Sequence, residues 1–281
     1  MTQLILIYHK HENHFEWFKA LPRFLEDNGW DVRRTSSESD VKKWIRNAYH
    51  VFIWNGSCRF SRSVLNIAAE NGVGYTIMEV GWFPQNKFWH LDSKGINAKS
   101  SLCEDDLSWV DHDKISRMHS FSREYIGDRF YSGADSYLFC PLQLASDTNI
   151  VEHSPFKDMQ SFIDYVEETY PDPIVFKKHP RDKGGNYSTR RKRNRIVSEG
   201  DALDFAKDAS GVVGINSTVL LETTMAGIPT VALGDGLLNS HCGREGKLLA
   251  ALVDRQIPVK DRQDLTYWFH RIGCGWLIDG C

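Results

Sequence analysis

The chain has 281 residues, 41% of them hydrophobic and 25% charged, with a formal net charge of −3. That is the balance of an ordinary globular protein large enough for two modest α/β domains or one large one, and it excludes a general nucleic-acid binder. No apolar run approaches the roughly 20 residues of a membrane span, and "MTQLILIYHKHEN" lacks both the basic flank and the apolar length of a leader, so it reads as the first strand of a cytoplasmic protein.

The first half alternates strands and helices. "LILIY" (4–8) is β-prone, "FEWFKALPRFLEDNG" (15–29) has helical periodicity and ends on Asn-Gly, and "WDVRRT" returns as a strand. "DVKKWIRNA", "HVFIWNG", "RSVLNIAAENG" and "GYTIMEVG" (74–81) continue the alternation, which predicts four parallel strands in a doubly wound sheet. From Trp82 to about Gly133 the pattern loosens around one helix near 114–126, and then it restarts. The strands there are "DSYLFCPLQ", "DPIVFKKH", "NRIVS", "GVVGIN" and "IPTVALG", separated by "SPFKDMQSFIDYVEETY", "DALDFAKDA" and "STVLLETTMAG". The expected organisation is a Rossmann-like acceptor-side domain over 1–133, a second Rossmann-like nucleotide-binding domain over 134–260, and a helix within 261–281 packing back across the seam.

Six cysteines are scattered without CxxC or zinc spacing, and they read as buried thiols rather than as disulfides or a metal site. The acidic run "CEDDLSWVDHD" (103–113) reads as a solvated helix start, and "HKHENH" (9–14) follows the first strand, where acceptor contact fits better than metal. The basic run "TRRKRNR" (189–195) has no interleaved aromatics and reads as a solvated loop, with contact to an anionic lipid surface at the inner membrane face as the second reading.

The chemistry concentrates in the second half. Asn216, Ser217 and Thr218 stand where a strand runs into a helix, and helix starts of this kind bind phosphate as well as serving as plain N-caps. His179, held before Pro180 at another strand end, is directed outward by the extended geometry that proline imposes on its predecessor. Only one of Lys177 and Lys178 shares its face, and the sequence leaves open which. Glu222, just inside the helix, is either a helix-start charge or an acceptor for ribose hydroxyls.

In order, "MEVGWFPQNKFWHLDSKGIN", "YLFCPLQLASDTN", "VFKKHP" and "GINSTVLLETTMAGIPTVALG" resemble the capsule polysaccharide biosynthesis family, over roughly Gly74 to Gly236. That resemblance implies a metal-independent GT-B-like glycosyltransferase, with two Rossmann-like parallel-sheet domains facing a cleft. Its characterised members include retaining β-Kdo transferases, which use CMP-Kdo. The motifs are also similar to those of bacterial CMP-sialic acid transferases. By these likenesses Asp147 is the nucleophile and Glu79 the general acid/base. His179, Pro180 and Lys178 meet the CMP phosphate with Asn216, Ser217 and Thr218, and Glu222 takes the ribose. Gln143 and Gly81 contact substrate, and Val80 stands where such motifs often carry a second carboxylate. The implied partners are a CMP-sugar donor and a glycan or glycolipid acceptor of the capsule or lipopolysaccharide, without metal or nucleic acid. A CDP-glycerol-type polymer transferase or an inactive nucleotide- or glycan-binding module are the alternatives.

Overall fold

A computed structural model describes residues 3–10, 15–145 and 147–278. In chain order the main elements begin β1 (Leu4–Tyr8), α1 (Ala20–Asp27), β2 (Asp31–Thr35), α2 (Glu38–Trp44), β3 (Ala48–Trp54), α3 (Arg59–Glu70), β4 (Gly74–Val80) and β5 (Phe88–Asp92). There follow α4 (His112–Ile126), β6 (Leu138–Pro141), α5 (Thr148–Glu152), α6 (Met159–Thr169), β7 (Ile174–Lys177), β8 (Arg195–Val197), α7 (Ala202–Ala206) and β9 (Gly211–Gly214). The chain then runs through α8 (Thr218–Met225), β10 (Thr230–Ala232), α9 (Leu237–Ser240), α10 (Glu245–Arg255), β11 (Ile257–Pro258) and α11 (Thr266–Arg271).

Two compact units result, one of Met1–Asp105 with Leu252–Cys281, the other of Asp106–Ala251. These ranges differ from the sequence-based division at 133/134. Helix α4 belongs to the second unit, and the C-terminal segment belongs to the first. The sequence marks where alternation resumes, which is the first strand of the second sheet and not the helix preceding it. The tail's allegiance is set by burial: Leu265, Phe269 and Leu277 join the apolar cluster of Ile5, Phe18 and Phe52, and the Trp30 indole donates to the Leu277 carbonyl at 2.7 Å.

The first unit's sheet has the order β11-β5-β4-β3-β1-β2. Strands β1 to β4 are parallel, while β5 and β11 are antiparallel additions at one edge. The continuous apolar run of β1 follows from covering both faces. Ile5 and Ile7 enter one core with Phe18, Leu21 and Trp89, and Leu4, Leu6 and Tyr8 enter the other with Val41, Ile53 and Val64.

The second unit's sheet is wholly parallel, in the order β10-β9-β6-β7-β8. Its core joins Cys140, Leu142, Phe162, Ile163, Phe176 and Val213. A parallel sheet gathers all its strand carboxyl ends along one edge, where open α/β sheets receive ligands. The central strand β6 lies between β9 and β7, so the segments after these three strands are neighbours there.

Of the described cysteines, only Cys140 and Cys274 are buried; Cys58 and Cys103 are half-buried and Cys242 is exposed. The reading of all of them as buried thiols is therefore corrected, and Cys281 lies outside the described residues.

Candidate active site

In the second unit, the segment after β6 carries Gln143 and Asp147, that after β7 carries His179, and that after β9 carries Asn216 and Ser217. Gln143 joins two of these three segments. It is only 4% exposed, and its Nε2 donates to Asp147 Oδ2 at 3.0 Å and to Asn216 Oδ1 at 3.1 Å, while its Oε1 accepts from Asn216 N at 3.2 Å. The primary amide has two protons and both are used, so Gln143 is a bracket inside the site.

Asp147 is half-buried and caps α5, its Oδ1 accepting from Asn149 N at 3.0 Å and Asn149 Nδ2 at 2.9 Å. Asp147 therefore serves as a helix cap. The same bonds hold the carboxylate in one orientation.

His179 accepts at Nδ1 from the Arg181 backbone N–H, 3.1 Å away. The neutral ring therefore carries its proton on Nε2, as a donor. Burial, then the Arg181 charge, lowers its pKa from the ordinary histidine value, with Asp147 acting in the opposite sense. Around it the loop 179–187 is tied by Asp182, whose carboxylate accepts from Gly185 N at 2.8 Å and from the Tyr187 hydroxyl at 2.7 Å.

The two lysines before His179 are both bonded to carbonyls. Lys177 is 4% exposed, and its ammonium donates to Lys178 O and Ser198 O at 3.2 and 3.1 Å. Lys178 donates to Gly185 O at 2.6 Å and lies over the Tyr187 ring. In this arrangement Lys177 holds the ends of β7 and β8, and Lys178 holds the loop. Pro180 is exposed beside them.

Ser217 is the N-cap of α8, its Oγ accepting from Val219 N at 3.3 Å, and Thr218 opens the helix. Asn216 also reaches the loop after β10 through Nδ2, 3.1 Å from Asp235 O. The Gly-Asp-Gly loop is thereby fastened to the helix start. Glu222 accepts from the Tyr125 hydroxyl of α4. Burial raises the Glu222 carboxyl above the ordinary carboxylate range, and the Tyr125 bond opposes that. Tyr125 was not singled out from the sequence, because nothing local to α4 announces a partner 97 positions away.

In the first unit, Glu79 lies near the carboxyl end of β4. It accepts from Asn55 Nδ2 at 2.5 Å and from Val80 N at 2.9 Å, and burial raises its pKa. Gly81 gives its N–H to Phe88 O at 2.7 Å, and a Cβ there would lie 2.5 Å from the Phe88 Cβ. Close approach of β4 and β5 therefore explains this glycine. His9 is buried against Phe15 and Phe18, and residues 11–14 of the histidine-rich stretch lie outside the described residues.

Two charged runs resolve into local structure. In the basic run, Arg190 N and Arg191 N donate to Glu167, which is 2% exposed, and Arg190 also pairs with Asp164 and Glu168. The Arg191 and Arg193 guanidiniums bond to Tyr170 O and Pro171 O just past α6. Arg190, Lys192, Arg193 and Arg195 are exposed, as a solvated loop requires, and the segment is in addition docked on a helix end, where cations are favoured. In the acidic run, Asp111 caps α4, Asp105 pairs with Arg255, and Glu104 pairs with Lys94. Among the described residues no group of three or more His, Cys, Asp or Glu is placed to hold a metal, and no helix is long and apolar enough to cross a membrane.

Two Rossmann-like units, each built on a mainly parallel sheet, place the chain in the GT-B-like class. Residues 129–241 match the capsule polysaccharide biosynthesis protein family. Protein FixF of Sinorhizobium fredii (strain NBRC 101917 / NGR234) is 30% identical over 201 residues, 67% of this chain and 49% of that protein. The chain thus spans about half the length of this curated relative. The β-Kdo 2,7 transferase of Thermosulfurimonas dismutans KpsC superposes with a TM-score of 0.65 at 16% identity, over 96% of this chain and 99% of that one. The β-Kdo 2,4 transferase of KpsC gives 0.66 at 16% identity, over 88% and 89%. At such identities the two solved structures establish the fold.

Proposed function

We propose that the chain is a glycosyltransferase that moves Kdo or a related 2-keto sugar acid from a CMP-sugar to a capsule or lipopolysaccharide glycan, with retention. The observation that carries this reading is the alignment of Asp147, His179 and the Ser217 helix start on adjoining strand ends of one parallel sheet. The fold shared with proteins named as β-Kdo transferases supports the donor class.

In this scheme the bond between the anomeric carbon and phosphate oxygen breaks, and its electron pair leaves with CMP. An Asp147 carboxylate oxygen bonds to the anomeric carbon as oxocarbenium character develops. The acceptor hydroxyl then displaces Asp147 and gives its proton to Glu79, so two inversions yield net retention. Charge on the departing phosphate is met by His179 Nε2–H and the positive end of α8, with Ser217 and Thr218 at its start. The scheme assigns no step to a metal. Glu222, with one oxygen on Tyr125, is placed in the ribose role. A CMP-sugar donor puts the reaction in the cytoplasm, and a lipid-linked acceptor would bring the protein to the inner membrane face.

The test is CMP release from CMP-Kdo in the presence of a glycan acceptor. The wild type is expected to release CMP and extend the glycan, and Asp147→Asn to lose on the order of 10³-fold or more in transfer. Turnover of CDP-glycerol alone, or an undiminished rate in Asp147→Asn, overturns the proposal.

A further inference from the structure

We infer that Asn55 is the positioning residue that fixes and tunes Glu79. The inference rests on the acid/base role proposed above for Glu79. Asn55 is the residue after β3, and its backbone has φ of 70°, in the left-handed region that asparagine tolerates better than most side chains. That conformation lets one short side chain serve two directions. Its Oδ1 accepts from Ser57 N at 3.1 Å and Cys58 N at 3.0 Å, which closes the turn leading into α3. Its Nδ2 points the other way and donates to Glu79 Oε2 at 2.5 Å, while its own N–H is held by Met78 O at 2.7 Å on the neighbouring strand.

The carboxamide is therefore locked at both ends. An aspartate would keep the turn but offer no amide donor, and a serine would not span both partners. The Asn-Gly pair supports the same geometry: Gly56 also has a positive φ, of 71°, and a Cβ there would lie 2.8 Å from Ile77 Cδ1. The turn is thus pressed against β4 two residues before Glu79.

The consequence is chemical. Burial alone disfavours the carboxylate, and the two N–H donors from Asn55 and Val80 favour it. Facing Glu79 from β5 is His90, its partner in the antiparallel register. His90 gives Nδ1–H to Val80 O at 2.9 Å, stacks on Trp82, and is held neutral by burial, with its pKa near 4. Asp92 and Arg255 act on His90, and Cys58 shares the Asn55 turn. Asn55 is thus the side-chain donor that works against burial and favours the ionised form of Glu79, the form that takes the acceptor's proton.

The experiment follows the Glu79 carboxyl directly. Its titration is read by carbon-13 NMR in wild type and Asn55→Gly, with Glu79→Gln to assign the signal, alongside the pH profile of transfer. Glycine accepts the left-handed backbone and removes the donor. The expected result is a rise of about 1–2 pH units in the Glu79 titration, with the acidic limb of the rate profile moving up by the same amount. Should Asn55→Gly fail to fold, Asn55→Asp retains the turn acceptor, and its coupled carboxyls are expected to show one titration above that of wild-type Glu79. An unchanged Glu79 titration overturns the inference in either variant. If Glu79→Gln instead transfers sugar at the wild-type rate, the catalytic reading of Glu79 fails, and the NMR titration still decides what Asn55 does to it.

Discussion

Gln143 holds Asp147. Its Nε2 lies 3.0 Å from Oδ2 of the aspartate, and the same amide grips Asn216 at both its N–H and its Oδ1. One buried side chain thus sets the orientation of the proposed nucleophile and the approach to the proposed phosphate helix. Replacing Gln143 with Leu leaves these groups unbonded inside the protein. The expected cost is about 1–3 kcal/mol of stability, measured by urea unfolding. Transfer is expected to fall by roughly 10- to 100-fold, since a misplaced reacting group is costly even when every catalytic residue remains.

Ser217 offers a test that separates the cap from the ligand. Its Oγ accepts from Val219 N, so Ser217→Ala is expected to lose about 1 kcal/mol of stability as a missing N-cap. A cap role alone moves only that quantity. If the helix start also receives phosphate, the dissociation constant for CMP rises by several-fold in the same variant, which calorimetry with CMP would measure.

The fold was legible because burial writes itself into periodicity. β1 is apolar at every position since both faces are covered, and the parallel alternation of the first four strands needed no more than that. The antiparallel strands β5 and β11 were not legible: "FWHLD" is short and mixed, and its pairing with Ile257 and Pro258 is decided by contacts far away in sequence. The same limit applied to the site. His179 and Ser217 could be found from strand ends and the residues beside them, because their placement is local. The partners that constrain the site residues come from elsewhere in the chain: Asn55 for Glu79, Tyr125 for Glu222, and Asn216 for Gln143. The docking of the basic run was not legible because Glu167, its buried anchor, lies more than 20 residues upstream.

That anchor is itself testable. Glu167 accepts from Arg190 N at 2.9 Å, Arg191 N at 3.2 Å and Asn194 Nδ2 at 2.6 Å. Glu167→Ala removes all three bonds in a buried position and is expected to destabilise the protein by about 2–4 kcal/mol. Comparable unfolding midpoints for the variant and the wild type would show that the segment is held by something else.

His50 makes a pH prediction of definite sign. It is buried, its Nε2 lies 2.9 Å from Thr76 Oγ1, and burial lowers its pKa to about 4. The unfolded chain binds that proton near the ordinary value of about 6.5. Stability from this group is therefore complete above that pH and declines as pH falls toward 4, because the unfolded state takes up the proton first. Between pH 7 and pH 5 the loss is about 2 kcal/mol. Urea unfolding at the two pH values, repeated on His50→Gln, isolates the contribution: the variant's difference should be smaller by that amount.

His179 allows its two nitrogens to be tested separately. Nδ1 accepts from Arg181 N at 3.1 Å and shapes the turn, which leaves Nε2 as the proton donor of the neutral ring. Burial and the Arg181 charge lower its pKa, which favours the neutral ring and a hydrogen bond from Nε2–H to the proposed phosphate. An asparagine oxygen can replace Nδ1, and a glutamine amide nitrogen can reach the place of Nε2. His179→Asn is then expected to keep the turn and its stability while losing about 10²- to 10³-fold in transfer, the scale of a missing donor to developing charge. His179→Gln is expected to retain more transfer while disturbing the turn. Steady-state rates and unfolding midpoints of the two variants, taken together, check the assignment: if His179→Asn is the more active of the pair, the donor does not act through Nε2.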